Sequence, residues 1–243
     1  MVTVVMPCYN EAEIIESCVR EWYDEVVSKI PGADLLVVDD CSKDRSGEIL
    51  ERLSRELPGV RWTRPERNGG HGKALRFGFR HTSQAYVFQT DSDRQHKPSE
   101  FWDLWNARGE FDFVFGVRAS RADGLFRKFI TRTMRLANFL IWGVWVRDAN
   151  CPFKLMKQQA LTTVLAQVPL DSFIPMVMIS ILSRKMEFKI KELPVTHLAR
   201  TGGTQSLKGI LRWMRVSTVC FKQLLALRWN YRQNGAWRWG GVA

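Results

Sequence analysis

Short β-branched apolar runs alternate with amphipathic stretches through the first half of this chain, and that alternation limits its fold more than any other feature. Val2 to Met6 (VTVVM), Leu35 to Val38 (LLVV), Val60 to Thr63, Tyr86 to Thr90 (YVFQT) and Phe111 to Phe115 (FDFVF) are each of strand length. Between them lie helical patterns. Asn10 is placed to cap a helix running to about Lys29 after a break at Pro7, with Glu13 at capping-box spacing. Ser42 is placed to cap a helix through Leu57, and Gly72 to Arg80 follows a glycine-rich loop. Pro98 opens a helix over Ser99 to Ala107. Strands and helices in this order predict a parallel, doubly wound α/β sheet. Such strands are covered on both faces, which is why these runs are continuously apolar.

The second half reads as mostly helical: Leu125 to Val146, Gln158 to Gln167, Phe173 to Arg184 and Leu207 to Arg228, with a strand at Phe188 to Thr196. The predicted division is 1–118 for an α/β half and 119–243 for a basic half, in one continuous domain. With 243 residues, the chain can bury about 70% of its unfolded surface without staples. Its five cysteines are scattered, odd in number and without a C-x-x-C pair, which argues against a disulfide scaffold or zinc ribbon and for a reducing compartment. The longest apolar run, Leu140 to Val146, is far short of the roughly 18 to 20 residues that span a bilayer. A cytoplasmic protein is expected.

Charge is divided unevenly. Residues 1–118 hold 16 Lys and Arg against 20 Asp and Glu, net −4, while residues 119–243 hold 20 against 5, net +15. The second half is therefore expected to face something anionic: nucleic acid, an anionic leaflet or a phosphorylated substrate. No zinc-finger, RNP or helix-turn-helix pattern supports nucleic acid.

In an open parallel sheet, ligands bind beyond the carboxyl ends of the strands. Three polar clusters fall there: Pro7 to Glu11, Asp39-Asp40, and Asp91 to His96 (DSDRQH). Asp91 and Asp93 stand two apart, so their carboxylates can converge on one hard cation with Gln95 adding a neutral oxygen. Short acidic loops are also ordinary turn chemistry. His96 is left open between ligand, cap and substrate contact. Asp39-Asp40 sits where nucleotide-binding sheets place an acid against a ribose hydroxyl or a base N–H. The loop Asn68 to Ala74 (NGGHGKA) looks like a phosphate cradle, but Ala74 has no hydroxyl to hold magnesium, which disfavours a P-loop NTPase. A backbone N–H nest or a plain tight turn remain the two readings of it.

VVMPCYNE at 4–11, VVDDCSKD at 37–44, NGGHGKA at 68–74 and DSDRQH at 91–96, in this order, resemble the inverting family 2 glycosyltransferases. DSDRQH with GVR at 116–118 is similar to the polyprenyl-phosphate (dolichyl-phosphate) mannose and glucose synthases. The resemblance covers residues 2–118 and extends thinly to Asp148, Pro194-Val195 and Arg200 to Gly203. It implies an A-type glycosyltransferase fold, with a Rossmann-like, mostly parallel sheet and a helical basic C-terminal part. Pro7, Tyr9, Asn10, Glu11, Asp39, Asp40, Lys73, Asp91 and Ser92 would contact a GDP- or UDP-linked sugar. Asp91, Asp93 and Gln95 would hold Mg²⁺ or Mn²⁺ on its diphosphate. Cys41 stands where the family commonly has glycine, and Asp148 to Lys154 (DANCPFK) replaces a glycine-glycine-phenylalanine-arginine stretch. Arg212-Trp213 and Arg238-Trp239 lack the glutamine of the processive Q-x-x-R-W signature, so a single transfer is expected.

The chemistry gives the charge division a purpose. A phosphate monoester acceptor is already anionic and needs no base, only cations that bring two anions together. Arg118, Arg127, Lys128, Arg132 and Arg200 are the expected acceptor-phosphate residues. Arg118 is counted with Asp91 and Asp93 as catalytic, and a structural pairing of Arg118 with a carboxylate is the competing reading. Asp171 is the base in reserve if the acceptor is an alcohol. A lipid acceptor requires docking on a membrane surface, expected at the cytoplasmic face, through the basic 125–146 stretch and the Trp/Arg-rich residues 227–240, the latter suiting a membrane-protein partner equally well. The alternatives are transfer to a hydroxyl of a glycan, lipid or small molecule, and a catalytically silent binding module.

Overall fold

Along β1 (Val2–Cys8) and β2 (Asp34–Asp39), successive side chains enter two different cores. Val4, Met6, Leu35 and Val37 pack with Trp22 and Phe88, whereas Val5, Leu36 and Val38 pack with Phe79 and Val87. Both faces of the sheet are therefore covered, as continuously apolar strands require. The computed structural model describes residues 1–119, 136, 138–198 and 210–233, and in the last of these the side chains of 218–231.

The first half follows the predicted order. After β1 and β2 come β3 (Val60–Thr63), β4 (Tyr86–Gln89) and β5 (Phe113–Arg118), interleaved with α1 (Ile15–Glu25), α2 (Ser46–Glu56), α3 (His71–Arg80) and α4 (Phe101–Asn106). Then follow β6 (Lys154–Lys157), α5 (Gln158–Leu165), α6 (Pro175–Lys185), β7 (Ile190–Val195) and α7 (Ile210–Gln233). The seven strands lie in the order β3-β2-β1-β4-β6-β5-β7. All pairings are parallel except those of β6, which runs antiparallel to both β4 and β5.

The sequence reading missed β6. Its four residues KLMK begin and end in lysine, which suggests surface, yet Lys154 is completely buried. Pro194 lies inside β7, where the lost N–H is tolerated because β7 is an edge strand.

Pro7 does not end β1, which runs on to Cys8 beside β2 in the register Cys8↔Asp39. Its effect falls on the other side. The β1–β4 ladder is recorded only from Val2↔Tyr86 to Val5↔Gln89, followed by one bond from Thr90 N to Val5 O at 3.1 Å. Pro7 has no N–H with which to continue it. The strands part there, at the point where the strand order reverses about β1, and a crevice at such a point is where open α/β sheets bind ligands.

The predicted caps differ from those observed. Asn10 adopts a left-handed φ of 53° and α1 starts only at Ile15, with the amides of Ile14 and Ile15 bonded to Glu11 O at 3.0 and 2.8 Å. Ser42 accepts a hydrogen bond from Asn10 N and α2 starts at Ser46. Both residues serve loop-to-loop contacts instead of helix ends. No helix among the described residues is long and apolar enough to cross a membrane, and all five cysteines are free thiols.

Helix α3 lies close on the sheet because Gly78 has no side chain: a Cβ there would come within 2.7 Å of Val5 Cγ1 and 2.9 Å of Val38 Cγ2. Both valines are fully buried and cannot retreat. Gly78→Ala should therefore lose about 1–3 kcal/mol of stability despite the better helix propensity of alanine. Urea unfolding followed by circular dichroism would show a lower midpoint with an unchanged slope.

Candidate active site

The rim beyond β1 and β2 is built from two loops zipped together. Asn10 N donates to Ser42 Oγ at 2.9 Å, Glu11 N to Ser46 Oγ at 3.0 Å and Ala12 N to Asp44 Oδ2 at 3.0 Å, and Lys43 N donates back to Asn10 Oδ1 at 2.7 Å. Asparagine tolerates the left-handed backbone at position 10. Cys41 also adopts positive φ, 61°, with its thiol against Pro65 O at 3.2 Å. That conformation is the physical reason a glycine suits the position, and the thiol carries about 1 kcal/mol or more of backbone strain there. Pro7 lies under this rim and Tyr9 is exposed on it.

The two acids after β2 have separate partners. Asp39 is fully buried; its Oδ1 accepts Ser42 N at 2.9 Å, and its Oδ2 accepts Arg64 Nε at 3.0 Å and Nη2 at 2.5 Å. Arg64 remains 42% exposed and lies over the Trp62 ring, so a nucleotide N–H reaching Asp39 would share the carboxylate with a guanidinium able to move. Asp40 turns inward. Its carboxylate accepts Gly69 N at 2.8 Å and Gly70 N at 2.7 Å, and its carbonyl accepts the Asn68 amide at 2.6 Å. Burial raises its pKa in spite of those two backbone bonds. The N–H nest foreseen in the glycine loop is thus occupied by Asp40. Lys73 is exposed one turn along, its stem beside Gly69.

Beyond β4 the side chains alternate. Asp91, Asp93 and Gln95 are part-exposed, Ser92 and His96 are buried, and Arg94, at φ 56°, reaches away to Glu21 at 3.2 Å. Asp91 Oδ1 meets His71 Nε2 at 3.0 Å and accepts Gln89 Nε2 at 3.2 Å. Crowding by the surrounding loops strips water from the His71 ring and lowers its pKa although 55% of the side chain stays exposed, but the Asp91 carboxylate, with Asp93 and Asp40 beyond, raises it further, and the net shift is upward. Three carboxylates therefore act on one imidazole. Asp93 Oδ1 accepts Gln95 N at 3.1 Å, while Gln95 clasps Leu198 twice, accepting its N–H at 2.8 Å and donating Nε2 to its carbonyl at 3.0 Å.

Among the described residues no three His, Cys, Asp or Glu side chains converge as a ready-made metal cage. The local donor set is two carboxylates and the oxygen end of the Gln95 amide. Such all-oxygen donors suit Mg²⁺ or Mn²⁺ and leave coordination positions for diphosphate oxygens and water.

His96 is buried. Its ring lies against Phe153 and His197, centroids 5.2 and 5.5 Å away, and no hydrogen bond of normal geometry reaches either nitrogen among the described residues. Burial pushes its pKa down to about 4.

Arg118 does not present an open guanidinium to an acceptor. Nε and Nη2 each bond Asp148 at 2.7 Å, and both side chains are nearly buried, 11% and 6% exposed. The competing structural pairing is what the fold shows. Behind it lies Lys154, completely buried, bonded to Ala149 O at 3.2 Å and 4.7 Å from the Phe115 ring centroid; burial lowers its pKa to about 8. Arg184, with its Cζ 5.6 Å from the centroid of the same ring, pairs with Glu192. The sequence marks Lys154 only as the end of the DANCPFK stretch, without a role, and does not mark Arg184 at all. Asp171 is on an exposed loop whose carbonyl accepts Gln223 Nε2 at 3.4 Å. Arg127, Lys128, Arg132 and Arg200 lie outside the described residues, as do most of 125–146 and residues 234–243 of the Trp/Arg tail.

Comparison with known proteins places this geometry. The sequence model of Glycosyl transferase family 2 matches residues 3–165. The chain is 30% identical over 204 residues to an undecaprenyl-phosphate 4-deoxy-4-formamido-L-arabinose transferase of Salmonella choleraesuis, a match covering 83% of this chain and 61% of that protein. Its fold is similar to that of glucosyl-3-phosphoglycerate synthase from Mycobacterium tuberculosis in complex with Mn²⁺, UDP and glucosyl-3-phosphoglycerate (TM-score 0.69, 19% identity, 93% of this chain and 79% of that one). It is also similar to a mannosyltransferase from Pyrobaculum calidifontis in complex with GDP-Man and Mn²⁺ (TM-score 0.61, 16% identity, 99% and 76%).

Removing one partner of a buried ion pair strands the other, so Arg118→Ala should cost about 3–5 kcal/mol. Adding Asp148→Ala should recover part of that loss, and a double-mutant cycle in denaturant measures the coupling. His96 gives a pH signature. Its folded pKa lies near 4 against an ordinary value of 6.5, so the unfolded chain binds the extra proton between these values. Stability should be full above pH 6.5 and fall towards pH 4, by on the order of 3 kcal/mol. His96→Phe, which keeps a ring on Phe153, should flatten that slope in unfolding curves taken across the window.

Proposed function

Because the chain belongs to glycosyl transferase family 2, we propose that it moves a sugar from a nucleoside-diphosphate donor onto a polyprenyl phosphate held in a membrane, at its cytoplasmic face. The observation that carries this reading is that acids from two strand ends, Asp40 after β2 and Asp91 and Asp93 after β4, all act on one imidazole, His71, beside the point where β1 and β4 part. The undecaprenyl-phosphate specificity in the name of the Salmonella relative supports a lipid-phosphate acceptor, although the chain spans 61% of that relative's length. The Mn²⁺ and GDP- or UDP-linked ligands of the structural neighbours support the donor side.

In this reading Asp91, Asp93 and Gln95 hold Mg²⁺ or Mn²⁺, which supplies Lewis-acid stabilisation of the departing diphosphate, worth several kcal/mol. The remaining work belongs to the chain. His71 and the Gln89 amide fix the orientation of Asp91 through its Oδ1. Asp39, shared with Arg64, receives the nucleoside, and Tyr9 offers an exposed ring at the rim. The acceptor phosphate oxygen forms a bond to the anomeric carbon as the bond to the diphosphate breaks, and the electron pair leaves with the diphosphate. No proton has to be removed, which suits a rim where Asp39, Asp91 and Asp93 serve the donor. Arg127, Lys128, Arg132 and Arg200 supply the positive field for the acceptor. Arg118 serves it by position, locked to Asp148 at the end of β5.

A panel of UDP- and GDP-sugars with Mn²⁺ should show binding of one donor by calorimetry and weak metal binding without nucleotide. Asp93→Asn should lower turnover roughly 10²-fold or more with little change in melting temperature; full activity in that variant removes the metal assignment. With labelled donor and membranes, label is expected in the lipid extract. Label confined to water-soluble glycan overturns the lipid-phosphate acceptor.

A further inference from the structure

Helix α7 keeps an apolar face turned to solvent. Leu224, Leu227 and Tyr231 bury one side of the helix in the core. Phe221, Leu225 and Trp229, four residues apart, form a second stripe with 42, 44 and 66% of their surfaces exposed. Residues at i, i+4 and i+8 share one helix face. Leu170 and Phe173, also exposed, stand on the loop that α7 grips: Gln223 accepts Phe173 N at 2.9 Å and donates to Asp171 O at 3.4 Å. An exposed stripe continued by a neighbouring apolar loop marks an interaction surface rather than scattered surface leucines.

The charge around it selects the partner. Residues 193–243 contain eight Lys and Arg and no Asp or Glu. Lys222 and Arg228 lie on the same turns as the stripe, so their stems can follow it while their heads reach phosphates. Asp171, exposed between Leu170 and Phe173, is the one carboxylate on the segments named, and a surface so cationic on balance disfavours a second copy of itself. Aromatic residues flanked by Lys and Arg are the composition of a membrane interface.

We propose that the face of α7 carrying Phe221, Leu225 and Trp229, continued by Leu170 and Phe173, inserts into the interfacial zone of an anionic lipid leaflet. The surface is tied to the active-site rim: Gly72 lies so close to the Phe173 carbonyl that a Cβ would meet it at 2.5 Å, and the adjoining His71 bonds Asp91. Docking on this face therefore brings the donor crevice to the leaflet from which a lipid phosphate would enter. The inference rests on the lipid-phosphate reading for its purpose, but vesicle binding needs neither donor nor acceptor.

The test is co-sedimentation of the full chain with vesicles of equimolar phosphatidylglycerol and phosphatidylcholine, and with pure phosphatidylcholine. The wild type should bind the anionic vesicles, and bind the neutral ones at least about tenfold more weakly. Leu225→Ser with Trp229→Ser, both on exposed positions, should weaken anionic-vesicle binding about tenfold or more while leaving melting temperature and transfer to a short, water-soluble prenyl phosphate unchanged. Undiminished vesicle binding by the double variant overturns the proposal. So does a wild-type dimer that the variant converts to a monomer with vesicle binding intact. If vesicle binding depends on the stripe while no transfer to any prenyl phosphate occurs, the surface stands and the proposed function falls.

Discussion

The crevice beside β1 depends on a missing hydrogen bond. Pro7 cannot donate to the strand beside it, and β1 and β4 therefore separate one step before their rims. Had the ladder continued, Thr90 and Asp91 would be held in register against β1, and the acidic loop would lie along the sheet instead of standing over the crevice. On its other side β1 stays paired through Cys8 with Asp39, so one wall of the crevice is rigid sheet and the other a loop. The acids on the two walls arrive from different strands, at a separation set by the backbone.

Around the end of β5 the fold does something costlier. Arg118, Lys154 and Arg184 all lie near the Phe115 ring or its strand, largely out of water, with Asp148 and Glu192 as counter-charges. Burying a cation is tolerable when it is paired and hydrogen-bonded, and π faces add a modest attraction. Two of the three have carboxylate partners, and Lys154 has a carbonyl and an aromatic face. These groups stiffen the link between β5, β6 and α6, from which the chain departs towards the basic residues of 120–135. Positive charge here is structural first, held in a scaffold already electrostatically settled.

The sequence was most legible where local pattern and tertiary demand agree. Five apolar runs became five strands because buried parallel strands need apolar residues at every position, and the rim clusters were found because they follow those strands directly. Asp40 misled because a strand-end acid looks alike whether it faces a ligand or, as here, Gly69 and Gly70. Arg118 misled for the matching reason: its partner Asp148 is thirty residues away, and no spacing rule connects them. KLMK was invisible as a strand because lysine signals solvent until the fold supplies a ring and a carbonyl for it. Cys41 was noticed as a departure from glycine; only its positive φ explains why glycine is the easy choice there.

Asp40 has one more effect. The glycine-rich turn before α3 is wrapped around an anion the chain carries itself, so it holds its shape with nothing bound. Binding of any ligand at this turn is then an encounter between surfaces already set, not a loop freezing onto its guest. Association should have the shallow temperature dependence of diffusion, and the ordering entropy that a slack turn would consume stays in the affinity.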